Sequence, residues 1–174
     1  ANNRVLAIEN PGLRPIDTNG IKILQRNYIE NNNYKDEWFI DEWFSTMPIP
    51  TSGSEIPYDS TLWNYSPVQN NTNCYAYALN NQVVPGTNTL WYMQPGQSAG
   101  YDLSLIPINV SNVIRYVEYD ASPNNLNFMF EEINKYAACP AGSYKVALVI
   151  APGVDYHWYR QNPDGTWSHK LASS

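Results

Sequence analysis

Three side chains in this 174-residue chain have the types that thiol chemistry needs: Cys74, His157 and His169, the latter two being its only histidines. Cys74 sits in NNTNCYAYA, after a polar run and at the head of a stretch whose alanines favour helix, with Thr72 or Asn73 placed as N-cap. A thiolate is the nucleophile, and a helix N-terminus together with a histidinium lowers its pKa. One histidine must then move the proton, and a further polar group must orient that histidine. Both histidines fall in DYHWYRQNPDGTWSHK, which reads as two strands closed by a turn at Asp164-Gly165. Their even separation places them on one side of the sheet, with Trp158 and Trp167 on the other. Read singly, each has a plainer use. Cys74 is also a small residue suited to a core. His157 is also a satisfied strand-end polar group, and His169 an exposed residue near the terminus.

The elements that must hold these groups are uneven in strength. ENPGLRPIDTNG is punctuated by Pro and Gly and reads as turns. IKILQRNYIE places Ile21, Leu24, Tyr28 and Ile29 on one helical face, and NNNYKDEWFIDEWFSTM reads as a second short helix. PIPTSGSEIPYDS and the stretch from Val83 to Ser98 read as loop. VSNVIRYVEYD predicts a helix capped by Ser111, and NNLNFMFEEINKYAAC a helix ended by Pro140 and Gly142. SYKVALVIA is a buried strand, joined through Pro152 and Gly153 to DYHWYRQ and then TWSHK. Helices followed by an antiparallel meander predict an α+β fold. The length suits a single domain, 1–174, with a helical and loop extension over 1–60 and the core over 61–174.

Composition narrows the partners. The net charge is −6, and the ten Lys and Arg form no cluster, which excludes a phosphate-binding nucleic-acid surface and disfavours an anionic membrane. No apolar run approaches the ~20 residues of a bilayer span. Charged residues are only 15% of a chain with 14 Tyr and 6 Trp, a balance more usual in secreted proteins. The start, ANNRVLAIENPG, has no Met and reads as a processed end. Cys74 and Cys139 permit one disulfide, but a chain this long does not need a staple, and Cys139 reads as structural.

NCYAYAL, DYHWYRQ and WSHK, in that order, resemble the papain-like cysteine hydrolase superfamily in its NlpC/P60 form, where a Cys at a helix start meets a His on a following strand and a second His on the next. The longer string NCYAYALN…QPGQSAG…DYHWYRQNPDGTWSHK is also similar to a group of secreted proteins sharing Asn-Cys-Tyr, Gln-Pro-Gly and His-Trp-Tyr-Arg segments. The resemblance spans roughly residues 63 to 170. It implies a papain-like α+β fold, with N-terminal helices on an antiparallel sheet that ends in a C-terminal hairpin. It implies Cys74 as nucleophile, His157 as general base and acid, and His169 holding the His157 imidazole in the right tautomer. For the oxyanion hole it points to Gln69, with Asn71 and Asn73 as rivals, or to Tyr65, together with the backbone N–H of Cys74. Tyr75 departs from the small or Trp residue usual after the Cys.

The expected function is thus a secreted thiol hydrolase that cleaves an amide bond through Cys74, His157 and His169. Its substrate would be a peptide or cell-wall peptide, and it would act as a monomer without a cofactor. Two alternatives use the same fold. One is a non-catalytic binding or matrix protein that recognises polysaccharide or a protein partner. The other is a toxin or effector that deamidates or transfers an acyl group. A zinc site of Cys74, both histidines and Asp155 lacks CxxC or HxxxH spacing. Trp38, Trp43, Trp63 and Trp91 read as core before they read as a sugar-stacking surface. The sequons at Asn64, Asn70 and Asn109 are expected by chance in so Asn-rich a chain.

Overall fold

The structure, a computed structural model, describes residues 2–9, 49–84, 86–134 and 136–171. The helices expected from IKILQRNYIE and NNNYKDEWFIDEWFSTM lie outside the described residues. Over the described residues the chain is α+β: a five-stranded sheet with short helices packed against it. Strand β1 spans Asn2–Glu9, β2 Phe130–Glu132, β3 Ser143–Ala151, β4 Asp155–Gln161 and β5 Trp167–Ser168. Their spatial order is β2-β1-β3-β4-β5, and every neighbouring pair is antiparallel. Helices α1 (Ser60–Trp63), α2 (Ser66–Asn71) and α3 (Cys74–Ala78) follow one another closely, and α4 spans Val110–Ala121.

Every residue of β3 is buried, as its run of Val, Leu, Ile and Ala requires of a strand covered on both faces. On one face Tyr144, Val146, Leu148, Ile150 and Trp158 form a core with Cys74, Tyr75, Val113, Tyr116 and Val117. Helix α4 is capped not by Ser111, which lies inside its first turn, but by Asn109, whose side chain accepts from the Asn112 N–H at 2.9 Å. Its buried residues Val113, Tyr116, Val117 and Asp120 recur at three- and four-residue intervals, the stripe of an amphipathic helix. On the other face, residues 49–55 form a strap. Lys145 Nζ donates to the Pro50 carbonyl at 2.6 Å, Gln161 Nε2 to that of Ile49 at 3.1 Å, and Ser52 Oγ to that of Ser143 at 2.5 Å.

Three expectations need correction. The stretch NNLNFMFEEINKYAAC is not a helix, because Phe130–Glu132 extend as β2 and pair with Leu6, Ala7 and Ile8 of β1. Strand β1 comes from the stretch assigned to an N-terminal extension, yet it lies inside the sheet, between β2 and β3. Trp158 and Trp167 also do not share a face. Trp167 pairs with Gln161 and Ser168 with Arg160, so the alternation of the pleat sets Trp167 opposite Trp158.

Candidate functional site

Cys74 is the first residue of α3, and Asn73 is its cap. The Asn73 carbonyl oxygen accepts from the Ala76 N–H at 3.0 Å, while its NH2 donates to the Met93 carbonyl at 2.6 Å. Both ends of that amide are therefore used in building the turn that presents the cysteine. The C-terminal end of α3 is fixed to the sheet. Tyr144 Oη donates to the Ala78 carbonyl at 2.9 Å, and the Arg160 guanidinium donates to that of Tyr77 at 3.0 Å while lying 4.1 Å from the Tyr77 ring centroid. At the other end Lys170 Nζ donates to the carbonyls of Gln69, Thr72 and Leu171 at 2.6, 2.7 and 3.0 Å. The segment after β5 is thus tied to the chain just before Cys74.

His157 and His169 come together as expected: His157 Nε2 and His169 Nδ1 are 2.7 Å apart. Register explains the meeting. Extending the Arg160–Ser168 pairing sets His169 opposite Tyr159, whose ring stacks on it at 4.8 Å and 23°, and puts His157 on the diagonal. Tyr159 also meets the His157 ring edge-on at 4.8 Å and 74°. One aromatic ring therefore braces both imidazoles, and the sequence offered no sign of its use.

The thiol faces the backbone N–H of Trp158, the residue after His157, and the N–H groups of Tyr75 and Cys74 at the helix start. The expected depression of its pKa is not found. Cys74 is only 8% exposed, and burial pushes its thiol up to about 12, outweighing the three N–H groups; the Asp155 charge adds to the rise. A five-residue helix offers too small a field to offset that desolvation. Cys139, the second thiol, is also free and buried, and burial pushes it to about 12 despite the opposing pull of Lys145.

The other residues expected in the site are dispersed. Gln69 is half-buried and its carbonyl holds Lys170. Asn71 is exposed, with its NH2 donating to the Pro67 carbonyl at 2.8 Å. Tyr65 is 60% exposed and caps α2 without a side-chain bond. A group the sequence reading missed lies beside His157 on β4: the buried Tyr156, whose hydroxyl donates to Gln94 Oε1. Gln94 belongs to the Gln-Pro-Gly segment, which marked it as a motif without giving it a role. Behind this wall the buried Asp120 accepts from Tyr75 Oη at 2.8 Å, Gly96 N at 2.7 Å, Ser98 N at 3.1 Å and Ser98 Oγ. That carboxylate sets the loop carrying Gln94 against α3 and α4. Among the described residues no group of three or more His, Cys, Asp or Glu is arranged to hold a metal ion. Nor is any described helix long and apolar enough to cross a membrane.

No family model matches the chain, and no solved structure matches it. It is similar to insoluble matrix shell protein 1 of Ruditapes philippinarum, with 36% identity over 109 residues. That stretch covers 62% of this chain and 61% of the shell protein, so the chain spans about three fifths of the relative's length.

Proposed function

We propose that this chain is a secreted, non-catalytic binding protein of an extracellular matrix, which recognises polysaccharide or a protein partner on a papain-like framework. One observation carries the reading. The only cysteine placed at a helix start, beside the strand of His157, is buried and held protonated, with its pKa pushed up to about 12. A thiol in that state packs as a small apolar group and has no useful fraction of thiolate at neutral pH. The similarity to a protein described as an insoluble shell-matrix component points the same way. The test is retention of the Cys74→Ala variant on particulate cell-wall and matrix polysaccharides. Binding equal to that of the unaltered chain supports the reading. Release of cleaved peptide by the unaltered chain but not by the variant would sink it.

A second reading has its own observation. The His157–His169 contact at 2.7 Å, and the Trp158 N–H facing the Cys74 sulfur, are the placements a thiol hydrolase uses. In that reading Cys74 attacks a peptide carbonyl, His157 carries the proton and His169 orients it. Gln94 becomes the candidate oxyanion donor, since Asn71 and Asn73 give their NH2 groups to the Pro67 and Met93 carbonyls and Tyr65 stands at the surface. Hydrolysis of cell-wall peptide that is lost in both Cys74→Ala and His157→Ala would establish it.

A further inference from the structure

A cavity of about 220 Å³ lies between α1, α2 and the segment after β5, with His169 among its lining residues. Its floor is aromatic: Trp63 and Tyr77 meet edge to face at 4.8 Å and 77°, both nearly fully buried. Tyr58, 47% exposed, stands at the rim, and its hydroxyl donates to Asn64 Oδ1 at 2.7 Å. That bond occupies the carbonyl end of Asn64 and leaves its NH2 to donate elsewhere. Gln69 lines the cavity half-buried, and its side-chain amide has no hydrogen-bond partner among the described residues.

We infer that this cavity is a subsite for one uncharged sugar ring of a polysaccharide; the inference rests on the matrix-binding reading above. The charges decide the class. Among the described residues no carboxylate lines the cavity to pair a cation. Lys170 is the formally charged side chain among the described lining residues, and its three N–H bonds all go to backbone carbonyls, so none is left for an anion. A purely apolar guest would bury the amides of Asn64 and Gln69 without partners, which disfavours it. A pyranose fits all three constraints. Its C–H face lies on the exposed Tyr58 ring at the rim, and its hydroxyls both give to and take from amides. The volume admits a single ring and the open mouth lets a chain continue, so the recognised unit is internal or terminal in a longer glycan.

The experiment is calorimetry and two-dimensional NMR with cellohexaose, chitohexaose and laminarihexaose, with hexa-alanine as the peptide control. The expected result is saturable binding of at least one hexasaccharide and shifts at the Gln69 and Asn64 side-chain amides. Gln69→Ala and Asn64→Ala should each weaken it several-fold while their NMR spectra stay folded. Because the guest is uncharged, affinity should hold between about 50 mM and about 500 mM NaCl. A steep loss of affinity with salt would overturn the assignment of a neutral ring, and preferential binding of hexa-alanine would overturn the sugar. If the chain binds particulate polysaccharide but both variants bind equally well, the subsite is refuted and the matrix reading stands. If no polysaccharide of any form is bound, both fall.

Discussion

The reactivity of Cys74 is the sharpest quantitative consequence of its surroundings. An ordinary cysteine has a pKa near 8.5, so about a tenth of it is thiolate at pH 7.5. With its pKa pushed up to about 12, Cys74 is thiolate to only about 3 parts in 100,000 at that pH, roughly a 3,000-fold deficit. A more basic thiolate is intrinsically more nucleophilic; with a Brønsted slope near 0.45 the shift of about 3.5 units returns roughly 40-fold. The net expectation is alkylation about 100-fold slower than a free thiol. The 8% exposure of Cys74 can only slow it further. Cys139 must be removed to read the signal cleanly, so the assay is iodoacetamide labelling of Cys139→Ala, followed by mass spectrometry from pH 6 to about 10. The rate should climb tenfold per pH unit throughout, with no plateau. A plateau centred below about pH 7, or labelling faster than a free thiol, would show a thiolate stabilised by His157 and refute the argument.

Asp120→Asn should lower stability by about 2–4 kcal/mol in urea unfolding, because one accepting oxygen becomes a donor among the hydroxyl and N–H donors of Tyr75, Gly96 and Ser98. Gly96→Ala should destabilise strongly and lower the melting temperature, since its φ is +86° and a Cβ there would lie 2.6 Å from Tyr116 Cδ2. Glu131→Gln should stabilise above neutral pH, by on the order of 1–2 kcal/mol. Glu131 is buried, neither carboxylate oxygen has a hydrogen-bond partner among the described residues, and burial raises its pKa to about 7. The folded state thus holds its proton more tightly than the unfolded one, so this group's contribution falls as pH rises from about 4.3 toward 7. Thermal melts of both chains at pH 5 and about pH 8 should converge at the lower value and diverge at the higher.

Local chemistry was legible where one residue type decides it. The Asn before Cys74 announced a cap, the Val- and Ile-rich run announced β3, and Asp164-Gly165 announced the turn, where Gly165 adopts φ +85°. Pairing partners were not legible. Phe130–Glu132 extend because β1 lies alongside, and nothing within that tripeptide encodes a partner more than a hundred residues earlier. The meeting of the two histidines depended on register, that is, on how many residues the turn absorbs; once they share a face, alternation alone sets Trp167 on their side and Trp158 on the other. The candidate site was legible as a set of residue types and not as a state of ionisation. Spacing placed Cys74 at a helix start, whereas its pKa depends on how completely the residues around it exclude water. Gln94 and Tyr159 were missed for a related reason, since each acts through a neighbour that is remote in sequence or on an adjoining strand.

The place of β1 has a consequence for how the molecule meets others of its kind. Because the first strand separates β2 from β3, a chain that has lost it keeps every helix described above but opens a slot along VALVIA, with a full row of backbone donors and acceptors unpaired. That hexapeptide is apolar, uncharged and free of proline, the composition that templates strand addition between molecules. Loss of β1 would therefore leave a molecule whose open slot accepts the strand of a neighbour, a route to assembly that needs no change in the core.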